Sequence, residues 1–120
     1  MYLTLLRSKI HGATVTGAVL EYEGSITIDS DLLTAAGILP YEKVMVANLA
    51  NGNRFETYAI PGEAGSGMIC LNGATVHLGS VGDRVIVFTF AMVTEKEAAS
   101  FTPTVIRVDA RNRVLREKKK

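Results

Sequence analysis

At 120 residues the chain is one domain by length, and its formal net charge of +1 gives no strong field for a nucleic-acid partner. Hydrophobic residues make up 48% of it and charged residues 21%, which excludes intrinsic disorder and requires a globular core. A single cysteine excludes an internal disulfide, and His11 and His77 stand too far apart for a paired metal-ligand motif, so no metal is expected.

The opening stretch Met1 to Lys9 has no basic segment, long apolar segment or small-residue cleavage site, so it does not read as a signal peptide. A cytoplasmic location is therefore the expectation. From Ser8 to Tyr22 the Thr and Val content is high, and Thr14, Thr16, Ala18, Leu20 and Tyr22 share one parity, as in a strand. Ser25 to Asp29 alternates cleanly and places Ile26 and Ile28 on one face. Ser30 or Asp31 is expected to cap a short helix through Leu32, Leu33, Ala35 and Ala36, with Gly37 ending it before Pro40.

Val44 to Leu49, Asn51-Gly52 and Arg54 to Ile60 read as a hairpin with a type I′ turn, because Asn-Gly accepts two positive φ values. Pro61 to Gly67 reads as a loop, and a strand from Met68 to Leu71 runs into a second Asn-Gly turn, Asn72-Gly73. Cys70, within that strand, is expected to be a buried structural thiol. After a turn at Val81-Gly82-Asp83, the apolar run Arg84 to Val93 is expected to be a strand buried on both faces. It is far short of the ~20 residues a membrane-spanning helix needs, so no membrane is expected. Thr94 and Glu97 form a capping box, Thr104 to Val108 is expected to close the barrel as a final strand, and the basic tail with Arg111, Arg113 and Arg116 reads as a frayed, solvated terminus. Short strands with turn signals between them argue for a mainly β barrel or sandwich.

On residue type alone, Thr57 is a β-branched strand residue, Tyr58 a packed aromatic, and Lys9 and Arg54 solvated charges. Tyr22-Glu23-Gly24-Ser25-Ile26-Thr27-Ile28-Asp29 says more, because it resembles the processing site of the pyruvoyl-dependent aspartate 1-decarboxylase family. Six further blocks match in order: Ser8 to His11, Ala35 to Ile38, Asn51 to Phe55, Thr57 to Ile60, Asn72 to Ala74 and Ser80 to Asp83. The resemblance implies a six-stranded double-psi β-barrel with short helices, assembled as a homotetramer with active sites at subunit interfaces.

It also implies self-cleavage between Gly24 and Ser25 into a 1–24 β chain and a 25–120 α chain, with a maturation partner as a candidate accessory. Ser25 would become a pyruvoyl cofactor, the electron sink for converting L-aspartate through a Schiff base to β-alanine and CO2 for pantothenate synthesis. By the same resemblance Thr57 assists processing and Tyr58 donates the final proton. Lys9 and Arg54 grip the substrate carboxylates, with Thr57 and the turn Asn72, Gly73, Ala74 and Thr75 completing the pocket. Thr57 and Tyr58 are adjacent and would face opposite sides of an ideal strand, so either a bulge or a strand edge must reconcile them.

Three positions depart from the family's pattern. Gly12 stands where a basic residue is usual, Val19 where an acidic one is, and Thr75 where a second alanine is common. A non-catalytic barrel that binds peptide or nucleic acid, and a pyruvoyl enzyme acting on another amino acid, are the competing readings.

Overall fold

The computed structural model describes residues 1–115. In chain order the elements are β1 (Tyr2–Thr14), β2 (Gly17–Val19), β3 (Ser25–Asp29), α1 (Ser30–Ala36), β4 (Lys43–Asn48) and β5 (Arg54–Gly62). Then come β6 (Ile69–Asn72), a 3-10 turn (Gly73–Leu78), β7 (Arg84–Thr94), α2 (Glu95–Ala98) and β8 (Thr104–Arg107). The sheet order is β2-β6-β3-β5-β4-β7-β1-β8. β1 and β2 are one continuous length of chain, bent at Val15 and Thr16, whose amides donate to Asp83 and Ile69 carbonyls at 2.8 Å. The run from β2 round to β1 therefore begins and ends on the same segment and closes on itself. Counting that segment once gives six barrel strands, and β8, rather than closing the barrel, adds to β1 in parallel over Ser8–His11 from outside the ring. This mainly β architecture is consistent with the double-psi barrel, with parallel pairs β3·β5 and β2·β6 set among antiparallel ones.

Strand alternation fills the barrel. Ile26, Ile28, Val46, Ile69, Leu71 and Val87 are fully buried within it, each contributing about 1.5–3 kcal/mol relative to an exposed position. Their neighbours Ser25, Thr27, Cys70 and Asn72 consequently face out of the barrel. The capping box is present as expected, with Thr94 and Glu97 each bonding the other's backbone N–H. Gly37 ends α1 in the left-handed conformation at φ 73°.

Several expectations are corrected. The helix cap is Asp29, because Ser30 already lies in the helix and its hydroxyl donates to the Gly62 carbonyl. The loop between β4 and β5 is not a type I′ turn: Gly52 has φ 77° and Asn51 is not left-handed. Asn48 and Asn51 side chains instead accept from Ala50 and Asn53 N–H at 2.8 and 2.9 Å, shaping a wider loop. Asn72-Gly73 is a turn as expected, and it opens the 3-10 segment. β7 is not buried on both faces, since Phe90 and Met92 are 48% and 70% exposed beyond the barrel wall. The strand at the amino terminus starts at Tyr2, and β5 runs on into Pro61 and Gly62 because they pair with Ile28 and Asp29. Arg111 and Arg113 are not frayed: their amides bond Asp109 Oδ1 around the buried Asn112, while Arg116 and the lysines after it lie outside the described residues.

Asp29 ties three segments together. Its carboxylate accepts from Asp31, Gly65 and Gly67 N–H at 2.8, 3.0 and 2.8 Å. Burial pushes its pKa up, but the bonds from Gly67, Asp31 and Gly65 overcome that, and the net displacement is below its ordinary value. A depressed folded-state pKa stabilises the fold above the unfolded-state value and loses that contribution as pH falls through the folded one. Asp29→Asn is therefore expected to lower the melting temperature at pH 7, with the gap to wild type narrowing in acid. Thermal melts between pH 7 and pH 3 check this, and a gap independent of pH would contradict it.

Candidate active site

The exposed Gly24 precedes Ser25, which is fully buried although its side chain faces out of the barrel. The cover comes from β6 and the turn after it. Ser25 pairs with Asn72 across the antiparallel ladder, and the Asn72 amide Nδ2 donates to Ser25 Oγ at 2.9 Å and to Thr27 Oγ1 at 2.8 Å. The Ser25 hydroxyl itself donates to the Glu23 carbonyl at 3.3 Å. Gly73, at φ 64°, lies so close that a Cβ there would sit 2.7 Å from the Tyr22 carbonyl oxygen and 2.9 Å from Gly24 Cα. Only glycine lets the turn come this close to Tyr22 and Gly24. At Gly24 itself an added Cβ meets nothing within 4 Å, so packing of the intact chain does not demand glycine there.

Thr75 and Ala74 part company in this turn. The Thr75 hydroxyl is buried and donates to the Asn72 carbonyl at 2.8 Å, whereas Ala74 is exposed. The departure at Thr75 thus adds a brace beneath Asn72 and leaves the outer side of the turn to Ala74. Cys70 is half-buried, with its Sγ 3.5 Å from Asn72 Oδ1, and burial raises its pKa, which suits an inert thiol.

β5 settles the geometry of Thr57 and Tyr58. Its ladder with β4 is regular from Lys43↔Tyr58 to Ala47↔Arg54, so no bulge intervenes. Phe55 and Ala59 belong to the core, which gives Thr57 the inward parity and Tyr58 the outward one. On the other side, β3 joins only from Ile26↔Ala59 onward, so Ser25 and Tyr58 stand level where the shared ladder begins. The stretch Arg54 to Thr57 runs past β3 as a strand edge. Opposite Tyr58, Lys43 is ion-paired with Glu56 at 2.8 Å.

Lys9 and Arg54 come together elsewhere, in a groove of about 320 Å³ lined also by Leu6, Ile86, Phe88 and Phe90. The Arg54 guanidinium lies 5.3 Å from the centre of the Phe88 ring. Neither Ser25 nor Tyr58 nor Asn72 lines this groove. Beside it, burial lowers the pKa of His11, and the charges of Lys9, Arg107 and Arg84 add to the effect. Gly12, at φ 82°, marks a register shift between β1 and β7, and an added Cβ would be 2.5 Å from Arg84 Nη2. The Arg84 guanidinium thus fills the place that a basic side chain at position 12 would claim. Val19 is exposed.

The chain therefore forms two separate clusters on the outer face. One holds Gly24, Ser25, Asn72 and Gly73, with Tyr58 level with Ser25; the other holds Lys9 and Arg54. Thr27 and the Glu23 carbonyl belong to the first and escape recognition from residue type. The one signal for Thr27 is its parity with Ser25 in an alternating strand. A buried hydroxyl with an amide donor on its oxygen fits conversion of Ser25 into a small keto group, since the donor remains for the new acceptor. Among the described residues no group of three His, Cys, Asp or Glu side chains is placed to hold a metal ion. Among the same residues no helix is long and apolar enough to cross a membrane.

Comparison with known proteins identifies the family. The family model described as aspartate decarboxylase matches residues 1–115. A protein named aspartate 1-decarboxylase from Carboxydothermus hydrogenoformans is 54% identical over 120 residues, all of this chain and 94% of that protein. Its namesake from Myxococcus xanthus is 60% identical over 111 residues, covering 92% of this chain and 85% of the relative. A third, from Thioalkalivibrio sulfidiphilus, is 55% identical over 116 residues, 97% of this chain and 92% of its own length. The chain belongs to the aspartate decarboxylase family.

Proposed function

We propose that the chain cleaves itself between Gly24 and Ser25 and, so matured, decarboxylates L-aspartate to β-alanine and CO2, supplying β-alanine for pantothenate synthesis in the cytoplasm. The observation that carries this reading is the buried Ser25 hydroxyl, held at 2.9 Å by the Asn72 amide beside a backbone that only glycine at position 73 can approach. Ser25 Oγ attacks the Gly24 carbonyl carbon; the Gly24 C–N bond breaks, and the hydroxyl proton passes to the freed nitrogen. Loss of the Ser25 Cα proton then forms a Cα=Cβ bond and expels Oγ with its electron pair as part of the Gly24 carboxylate. Water hydrolyses the resulting enamine, through its imine tautomer, to a ketone and ammonia, leaving a 1–24 chain and a pyruvoyl-blocked 25–120 chain. Thr57, of inward parity but at the edge of β5 that β3 has not yet joined, supplies the hydroxyl that assists this processing.

A pyruvoyl ketone supplies an electrophile for the substrate amine and a sink for the electron pair released with CO2. The chain's own residues bind the substrate and manage its protons. Tyr58, level with Ser25, carries a phenol that returns a proton to carbon. Arg54 holds one substrate carboxylate with two parallel bonds, and Lys9 adds a point charge. Asn72, Gly73, Ala74, Thr75 and Thr57 shape the rest of the pocket.

Arg54 is four residues along β5 from Tyr58, about 13 Å of backbone at ~3.3 Å per residue, and lines a groove that Ser25 and Tyr58 do not. A second copy that brings its Lys9 and Arg54 to this Ser25 completes the site. The exposed Phe90 and Met92 beside that groove suit burial between subunits, in a homotetramer.

The reading is tested by product analysis. Matured protein is expected to release CO2 and β-alanine from aspartate and to leave glutamate essentially unchanged. Tyr58→Phe should mature normally yet lose turnover by about 10²-fold, the usual scale of a lost general acid. Full turnover in a matured Tyr58→Phe sample would assign the proton to another group.

A further inference from the structure

Asn72 has two amide hydrogens, and both are spent on hydroxyls of one strand face. One goes to Ser25 Oγ at 2.9 Å and the other to Thr27 Oγ1 at 2.8 Å. The far side of the amide presents Oδ1 to Cys70 Sγ at 3.5 Å, and a thiol is a donor there. Asn72 is only 3% exposed, so water has little access to replace a missing partner. At the other end of the chain of bonds, the Glu23 carbonyl can only accept, and it takes the Ser25 hydroxyl hydrogen. The direction of every bond is thereby fixed: Asn72 gives to Ser25, and Ser25 gives to Glu23. One lone pair of Ser25 Oγ stays uncommitted.

That direction matters at the second step of maturation. As the Cβ–Oγ bond breaks, Oγ receives the bonding pair and becomes an oxygen of the Gly24 carboxylate. An N–H already aimed at the atom that gains negative charge stabilises the transition state without reorganisation. An amide turned end for end would aim its own oxygen there and oppose the step. With a methyl group in place of the Thr27 hydroxyl, the second amide hydrogen would have no acceptor, and the observed orientation would lose its advantage over the turned one.

We propose that Thr27 is a positioning residue for self-cleavage, holding the Asn72 amide so that its other N–H stays on Ser25 Oγ. This rests on the reading of Ser25 as the maturing residue. Thr27 itself touches no reacting atom in the described hydrogen bonds; its methyl faces Gly62, where an added Cβ would lie 3.0 Å away. Thr27→Val keeps that packing and the β-branched shape, and Thr27→Ser keeps the hydroxyl.

The test follows cleavage of freshly made wild type, Thr27→Val and Thr27→Ser by intact mass over time, with and without hydroxylamine. Hydroxylamine attacks the ester formed by the first step, giving a Gly24 hydroxamate and a chain that begins with an unmodified Ser25. Thr27→Val is expected to cleave at least tenfold more slowly and to accumulate the hydroxylamine-sensitive ester, and Thr27→Ser to stay within about threefold of wild type. A merely structural role would not accumulate ester, so slow Thr27→Val cleavage without it overturns the proposal. Wild-type cleavage by Thr27→Val overturns it too, while leaving self-cleavage itself intact. A wild-type chain that never cleaves overturns both.

Discussion

Ser25→Ala is expected to remain a single 120-residue chain with no measurable decarboxylation, because no oxygen is left to attack Gly24 and no keto group can form. The fold should survive. Ser25 lies at the start of β3, and Ile26 and Ile28 behind it carry the packing. The lost partner leaves one Asn72 N–H unpaired in a buried place, an effect of about 1–3 kcal/mol, while Thr27 still holds the other. Gel analysis and a melting curve on the same sample separate the two effects. Cleavage of Ser25→Ala at position 24 would assign the nucleophile to another residue. Ser25→Thr retains the hydroxyl and is expected to cleave in part, leaving a bulkier keto group.

Arg54→Ala is expected to raise KM for aspartate at least tenfold without impairing maturation. A charge-assisted hydrogen bond to a carboxylate contributes roughly 1.5–3 kcal/mol, and about 1.4 kcal/mol is a factor of ten. The effect is confined to turnover because Arg54 lines the groove with Lys9 and takes no part in the hydrogen bonds around Ser25. Arg54→Lys should recover only part of the loss, since lysine keeps the charge and loses both the planar fork and the guanidinium stacking on Phe88. Steady-state kinetics on fully cleaved protein decide the matter. Near wild-type constants for Arg54→Ala would place the substrate carboxylate elsewhere.

Local chemistry made part of this molecule legible from sequence. The alternation of Ile26 and Ile28, the left-handed Gly37 and the Thr94–Glu97 box each depend on residues a few positions apart, and each stands where it was read. What escaped depends on distant partners. Asp29 rather than Ser30 caps α1 because Gly65 and Gly67 also donate to it, from a loop remote in sequence. Asn51-Gly52 has the dipeptide of a tight turn, but the neighbouring asparagine side chains impose a wider one. Ring closure through Val15 and Thr16 has no local signature either.

At the site, the family's motif pointed to Ser25 and the turn from Asn72 to Thr75, and the fold brings them together. The same motif names Lys9 and Arg54, which one chain sets apart from Ser25. A linear sequence carries no mark of how far apart the fold sets two blocks of one motif. Thr27 was invisible for a different reason: its hydroxyl matters only through an amide on another strand.

Intact-mass spectrometry of the purified protein is the most direct test of the central claim. The account predicts two masses, an unmodified 1–24 chain and a 25–120 chain whose first residue is a pyruvoyl group in place of serine. A single mass for the uncleaved 120-residue chain after prolonged warm incubation, with no decarboxylation of aspartate, would contradict it.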